Sequence, residues 1–475
     1  MKKIATLLLA IATVATATAG GLMTNSNQSA AFLRNIARGT TLDTDAVYNN
    51  PAGTVFMTDG WHLGINNQMA YQTRSTESTF APFAMGAQNN GQMTKEYEGE
   101  VFSPAIPSFH LTWKKNRWAV MVGMGVNGGG GSLEYDNGLA SFERQFSVLP
   151  AGVSNLGQAF GLSANQYNMD MYLKGTSMTL AFNAGVAFRV TDWLSIAAQV
   201  RFSTTSNAYE GYMKNIQINP TCAALGLNGA MMSAPQFFQA VGAQLGAVNP
   251  QLAAAAAQYA ALTSDHILDV EQKGTSISPV VAIYAQKNGW AFAAKYEGKM
   301  GTELEIESAE VSAKDPVING IFADGSKVKA ETPALLSVAL SRQFGKVKVT
   351  AEWHEYFDKD AKNTFSNCVE GNTMEYLVGA EWQISKKWLV SCGVQRTQYD
   401  LNEAAYSDMN FSTPSWSTGI GAAYSFNEKI RLNLGIMPTF YEDVTSEGVD
   451  SNGINFTDVY SRTSLTWGVG LDFKF

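Results

Sequence analysis

Cysteine, charge and long apolar runs are all scarce in this chain of 475 residues. Its three cysteines, Cys222, Cys368 and Cys392, never form C-x-x-C, so thiolate zinc sites and thioredoxin-type chemistry have no support. Charged residues make up only 16% of the chain, below the roughly 25% of soluble domains. A net charge of -8 runs against the basic face that a nucleic-acid binder needs. No segment offers ~20 uninterrupted apolar residues, so no transmembrane helix is expected. Histidine is rare too: none of His62, His110, His266 and His354 lies in H-E-x-x-H, and no G-x-S-x-G elbow occurs. Gly123-Met124-Gly125-Val126-Asn127-Gly128 spells G-x-G-x-x-G but has no βαβ unit around it. Asp450-Ser451-Asn452-Gly453 lacks the spaced Glu of a calcium loop and reads as a solvated turn. No enzyme activity, cofactor or metal is expected.

What the chain does have is period-two alternation, with 43 glycines and 11% aromatics. From Leu465 to Phe475 every second residue is apolar, and Thr466, Gly468, Gly470, Asp472 and Lys474 stand between. Side chains alternate faces along a strand, so this segment has one greasy face and one polar face. Residues 194–202, 346–353, 388–394 and 429–436 repeat the pattern. A cation on a lipid face costs ~2–4 kcal/mol at mid-membrane, so the interleaved Arg and Lys must face a lumen. At the N-terminus, Lys2 and Lys3, the apolar run Ile4 to Val14 and Ala17-Thr18-Ala19 form an expected signal peptide at residues 1–19. The implied fold class is all-β: a transmembrane antiparallel β-barrel of about fourteen strands.

Short polar turns closed by tryptophan mark one end of that barrel, at Lys115-Asn116-Arg117-Trp118, Val190-Thr191-Asp192-Trp193, Lys287-Asn288-Gly289-Trp290 and Ser385-Lys386-Lys387-Trp388. They alternate with longer connections, the asymmetry of periplasmic turns and extracellular loops. The barrel is expected over residues 61–475, with long outer loops near 127–165 and 215–265. In the second loop, Phe237, Phe238, Val241 and Leu245 share one face of a helical stretch. They are candidates for ligand capture at the mouth, or for packing within the loop. Cys222 and Cys368 fall in outer loops, where a disulfide and two free thiols both remain open; Cys392 sits on a strand's apolar face. Arg201, Arg431 and Lys348 are lumen cations that could meet an anionic headgroup, or pair with acids such as Glu352. Arg396 falls on the apolar parity of its strand and suits the rim.

Residues 20–60 lack clean alternation and could be a disordered tail, yet Phe32, Leu33, Ile36, Leu42, Val47 and Tyr48 are apolar enough to pack, so a plug in the barrel mouth is the expectation. Asn49-Asn50-Pro51-Ala52-Gly53 resembles the Asn-Pro-Ala-Gly motif of the FadL/TodX family of outer-membrane transporters of hydrophobic compounds. Gly20-Gly21-Leu22, Asn27-Gln28-Ser29-Ala30, Ala37-Arg38-Gly39 and Asp43-Thr44-Asp45-Ala46 are similar to the family's lead-in. The resemblance implies a fourteen-stranded barrel with an N-terminal hatch, whose motif Asn50, Pro51 and Ala52 carry. It implies capture at outer loops, hatch movement and sideways exit where the third strand kinks. Here that strand is expected at Arg117 to Val126, followed by Gly128, Gly129, Gly130 and Gly131; glycine weakens pairing, so the run fits either such a kink or the start of a flexible loop.

The function so implied is passive outer-membrane transport of hydrophobic compounds, foremost long-chain fatty acids. A general diffusion porin and a barrel hydrolase are the alternatives. Expected partners are hydrophobic small molecules, outer-membrane lipids and the barrel assembly machinery, with no nucleic acid. A closed barrel has no free edge, so a monomer is expected.

Overall fold

The computed structural model describes Leu22, Thr24 and residues 27–157, 161–245, 249–311 and 325–475. The expected signal peptide at 1–19 lies outside these residues. The alternating segments form a closed, wholly antiparallel barrel of fourteen strands. They are β1 (Gly60–Phe80), β2 (Thr94–Lys115), β3 (Trp118–Tyr135), β4 (Tyr167–Arg189), β5 (Leu194–Ile218), β6 (His266–Lys287), β7 (Trp290–Glu297 and Glu303–Val311), β8 (Lys327–Lys329 and Leu335–Phe344), β9 (Val347–Tyr356), β10 (Thr373–Gln383), β11 (Trp388–Gln398), β12 (Ser415–Ser425), β13 (Ile430–Tyr441 and Val444–Val449) and β14 (Asn455–Lys474). The last strand pairs with the first from His62↔Lys474 to Phe80↔Phe456, which leaves the sheet without an edge.

The alternation read from the sequence is the partition between lipid and lumen. On β5, Ile196, Val200 and Phe202 are exposed outward, while Ser195, Gln199, Arg201 and Ser203 are buried inward. On β6, Ile277, Val281 and Ile283 form the outer apolar band, and farther up the strand Asp269, Glu271 and Lys273 point outward where the band has ended. Trp61, Trp118, Trp193, Trp290 and Trp388 ring the short-turn end, as the turn tryptophans predict. Asn288-Gly289 makes its hairpin with both residues at positive φ, 50° and 78°, the conformation a type I′ turn requires.

Helices occupy the other end. α3 (Ala140–Ser147) and α4 (Leu149–Gly157) lie in the β3–β4 connection, and α5 (Ala234–Leu245) and α6 (Pro250–Leu262) in the β5–β6 connection. Their apolar faces join Phe80, Phe83, Tyr97, Tyr135 and Tyr167 in one buried cluster above the lumen. Among the described residues no helix is long and apolar enough to cross a membrane. The end of the third strand differs from expectation. β3 does not stop at Val126 but runs on to Tyr135, absorbing the glycines as irregularities between Val126/Gly128 and Gly129/Gly131 against β4. A glycine run permits bulges without ending a strand when both neighbours supply partners farther along.

Candidate functional site

The N-terminal segment fills the lumen. It contains α1 (Ala30–Arg34), α2 (Ala46–Asn49) and a 3₁₀ turn, Pro51–Phe56. α1 contacts β11 to β14 and β1, whereas the 3₁₀ turn contacts β2 to β6, so the segment crosses from one wall to the other. Glycine on the wall makes the approach possible. A side chain added at Gly435 would lie 2.6 Å from the Arg34 backbone nitrogen and 2.7 Å from the Ala30 oxygen. Gly419, Gly468 and Gly470 likewise face Leu33, Ile36 or Ala30.

Charge fixes the segment after packing has placed it. Arg38 holds Asp45 with Nε at 2.9 Å and Nη2 at 2.7 Å, reaches Asp43 at 2.9 Å, and meets Glu381 on β10 at 3.0 Å. Arg34 also meets Glu381, at 2.6 Å, and Arg431 on β13 meets Asp43 at 3.0 Å. Burial works against the Arg38 charge, but Asp45, Glu381 and Asp43 together raise its pKa well above the ordinary value. Burial likewise works against an ionised Asp43, yet Arg431, Arg38 and Arg34 hold its carboxyl well below the usual range. Further anchors come from Lys348 Nζ to the Thr40 carbonyl (2.8 Å) and Lys295 Nζ to the Tyr48 carbonyl (3.0 Å).

The Asn50, Pro51 and Ala52 motif has a local geometric role. The Asn50 side chain donates to the Thr41 carbonyl at 3.0 Å and accepts from the Gly53 amide at 3.2 Å, capping the 3₁₀ turn. Pro51 opens that turn with its fixed φ. A side chain at Gly53 would lie 2.3 Å from Asn50 Nδ2, so it would push the Asn50 cap out of place. The Ala52 carbonyl accepts from Ser195 Oγ at 2.6 Å, pinning the turn to β5.

Between this segment and the outer loops lies a cavity of about 330 Å³. Its apolar lining includes Leu22, Ile106, Val126, Leu304, Phe365 and Met437. It abuts an interruption in the barrel wall. Between Val101↔Leu133 and Ser108↔Gly125, β2 and β3 form no pairs. Two causes are local. Gly129 and Gly130 take φ of 69° and 104°, which turns the β3 backbone off the ladder. Opposite them, Pro104 and Pro107 on β2 have no amide hydrogen to donate. The Ser103 hydroxyl donates to the Gly130 carbonyl at 2.7 Å, a side-chain link across the interruption. The plug touches both lips: Ser108 Oγ donates to the Gln28 carbonyl, and Tyr48 donates to Asn127 Oδ1 at 2.8 Å. Pro104 and Pro107 are the trace of this interruption in the sequence, since two prolines within four residues of a strand speak against a continuous ladder.

The remaining candidates fall elsewhere. Arg201 is buried and paired with Glu297, which also meets Lys295 at 2.5 Å, and Arg201 Nε donates to Asn183 at 2.7 Å. Arg431 serves the plug. Arg396 lies at the rim, 2.6 Å from Glu442 and stacked over Trp416. Phe237 and Phe238 are buried inside the loop cluster: the two rings meet edge to face, and Phe238 stacks on Tyr259 with centroids 5.1 Å apart. Val241 packs against the same cluster, and the Leu245 side chain lies outside the described residues. Cys368 and Cys392 are free thiols, and Cys222 is buried in the loop cluster.

No protein-family model matches this sequence, and no curated protein is similar to it. Solved structures are similar in fold. A crystal structure of a Pseudomonas aeruginosa FadL homologue superposes with a TM-score of 0.64 at 14% identity, covering 96% of this chain and 100% of that one. The P. putida toluene transporter TodX gives 0.56 at 13% identity, covering 97% and 99%. The fold is that of an outer-membrane β-barrel of the FadL/TodX type, as the N-terminal resemblance implied.

Proposed function

We propose that this protein carries hydrophobic compounds, long-chain fatty acids foremost, passively across the outer membrane. The solute is captured at the outer loops, enters the lumenal cavity, and leaves sideways between β2 and β3 when the plug shifts. The observation that carries this reading is the unpaired stretch of the β2–β3 ladder beside a cavity of mixed apolar and polar lining, with plug residues on both of its lips. Each methylene removed from water contributes about 0.8 kcal/mol, so an acyl chain partitions into such a cavity and then into hydrocarbon. A sideways exit spares it the periplasmic water. Capture at Phe237, Phe238 and Val241 requires α5 and α6 to part, since the two rings are covered in the closed loop. The chain acts as a monomer in this scheme, its sheet having no edge to offer.

The test is uptake of labelled oleate by cells with and without the gene. Faster uptake with the gene is expected, and a Ser103→Cys, Gly131→Cys pair, whose Cβ atoms would lie 3.7 Å apart, should slow it when oxidised and restore it when reduced. Equal uptake with and without the gene removes fatty acid as the solute. An open porin would instead pass small polar solutes with the plug in place.

A further inference from the structure

Arg74 on β1 and Arg462 on β14 stand directly opposite each other, both facing the lumenal cavity. Directly opposed like charges destabilise a sheet, and a buried cation without a counter-charge costs more still. The lumen cations described above show the usual remedy: Arg34, Arg38, Arg201 and Arg431 each hold a carboxylate. Arg74 and Arg462 hold none among the described residues. Arg74 is buried, gives one hydrogen bond to the Phe411 carbonyl at 3.2 Å, and lies over the Phe411 ring at 4.9 Å. Arg462 gives one to Gln72 at 2.9 Å and lies over the Tyr441 ring at 4.6 Å, with Nε unpartnered. The acid closest along β14 on the same face, Asp458, is engaged elsewhere, by Arg144 at 2.7 Å and Tyr460 at 3.1 Å.

The aromatic rings hold the two guanidinium planes, so most of their donors point at no protein acceptor. Two forks of this kind match the two oxygens of a carboxylate. The cavity that they line also offers Ile106, Val126, Leu304 and Met437 to an acyl chain, and its volume of about 330 Å³ lies within the roughly 300–1,000 Å³ usual for ligand sites. We infer that Arg74 and Arg462 form the headgroup site that selects single-chain carboxylates over neutral hydrophobes of equal length. This rests on the transport reading above and names the residues that set its specificity.

The experiment measures binding of oleate and of oleyl alcohol to the purified protein in nanodiscs at pH 8. Wild type should bind oleate about tenfold or more tighter than the alcohol, the range that hydrogen bonds to a charged group supply. Arg74→Gln, Arg462→Gln should bring oleate down to the alcohol's affinity and leave the alcohol unchanged, which a general loss of structure would not do. Heat-modifiable migration on gels checks that the variant is folded, and the single Arg462→Gln, at the less buried partner, gives the same reading should the double variant misfold. Equal binding of both probes to wild type, or a full preference for oleate in the folded variant, overturns the headgroup site and leaves transport standing. Binding of neither probe overturns both.

Discussion

At the scale of single residues, the plug is held by charges whose states are set by burial and neighbours. Asp43 illustrates the consequence. Its folded pKa is depressed by Arg431, Arg38 and Arg34, so its contribution to holding the plug is complete above the ordinary carboxylate value of about 3.9. That contribution is lost as pH falls through the depressed folded value. Hydrogen exchange of residues 40–56 should therefore stay slow from pH 7 to about 4 and quicken below it. Asp43→Asn should exchange fast already at pH 7, because it leaves the buried Arg34 and Arg38 and the half-buried Arg431 short of one charge. Slow exchange at pH 7 in Asp43→Asn would mean that packing alone holds the plug. The motif residues were legible in the sequence as a motif, but not for what they do: that Asn50 caps a 3₁₀ turn and that Gly53 touches it depends on the fold of ten neighbouring residues.

At the scale of elements, one strand pattern serves two solvents. The apolar face of β6 meets lipid at Ile277, so Ile277→Arg should destabilise the barrel by ~2–4 kcal/mol in urea titration from vesicles. A cost near zero there would place that face in water. The inner face is specialised differently. Gly435 admits α1, and Gly435→Val should displace that helix by steric conflict with its backbone while the barrel still forms. Single-channel conductance should rise in this variant, and an unchanged trace would show that α1 does not seal the lumen. Strand parity also sorted the cations correctly: Arg201 and Arg431 face inward and Arg396 sits at the rim. It could not say that Arg201 and Arg431 meet acids, since Glu297 and Asp43 lie 96 and 388 residues away along the chain. Nor could it show that Phe237 and Phe238 would be covered, because one helical face packs equally well on a partner helix or a ligand.

At the scale of the whole molecule, closure and filling are separate events. The strands of the barrel wall begin at Gly60, and among the described residues the plug adds contacts without adding a strand. Deleting residues 27–57 should leave a heat-modifiable barrel whose conductance is several-fold higher than that of the full chain. A deletion variant that stays closed would assign the seal to the outer loops and their cluster around Phe80, Phe83 and Phe146. The interruption between β2 and β3 belongs to this scale as well. It is a property of two strands facing each other, with prolines on one and glycines on the other, and neither segment alone specifies a gap.

Alternation, turn tryptophans and the spacing of short turns determined the strand count, the lipid face and the lumen face, because a period of two and the cost of charge in hydrocarbon act locally along each strand. Only the tertiary structure decided which cations are neutralised, which loop aromatics are hidden, and that Arg74 and Arg462 meet beside the cavity with no acid between them. Those outcomes depend on pairing β1 with β14 and threading the N-terminal segment through the lumen, contacts between residues far apart in the chain that no local pattern encodes.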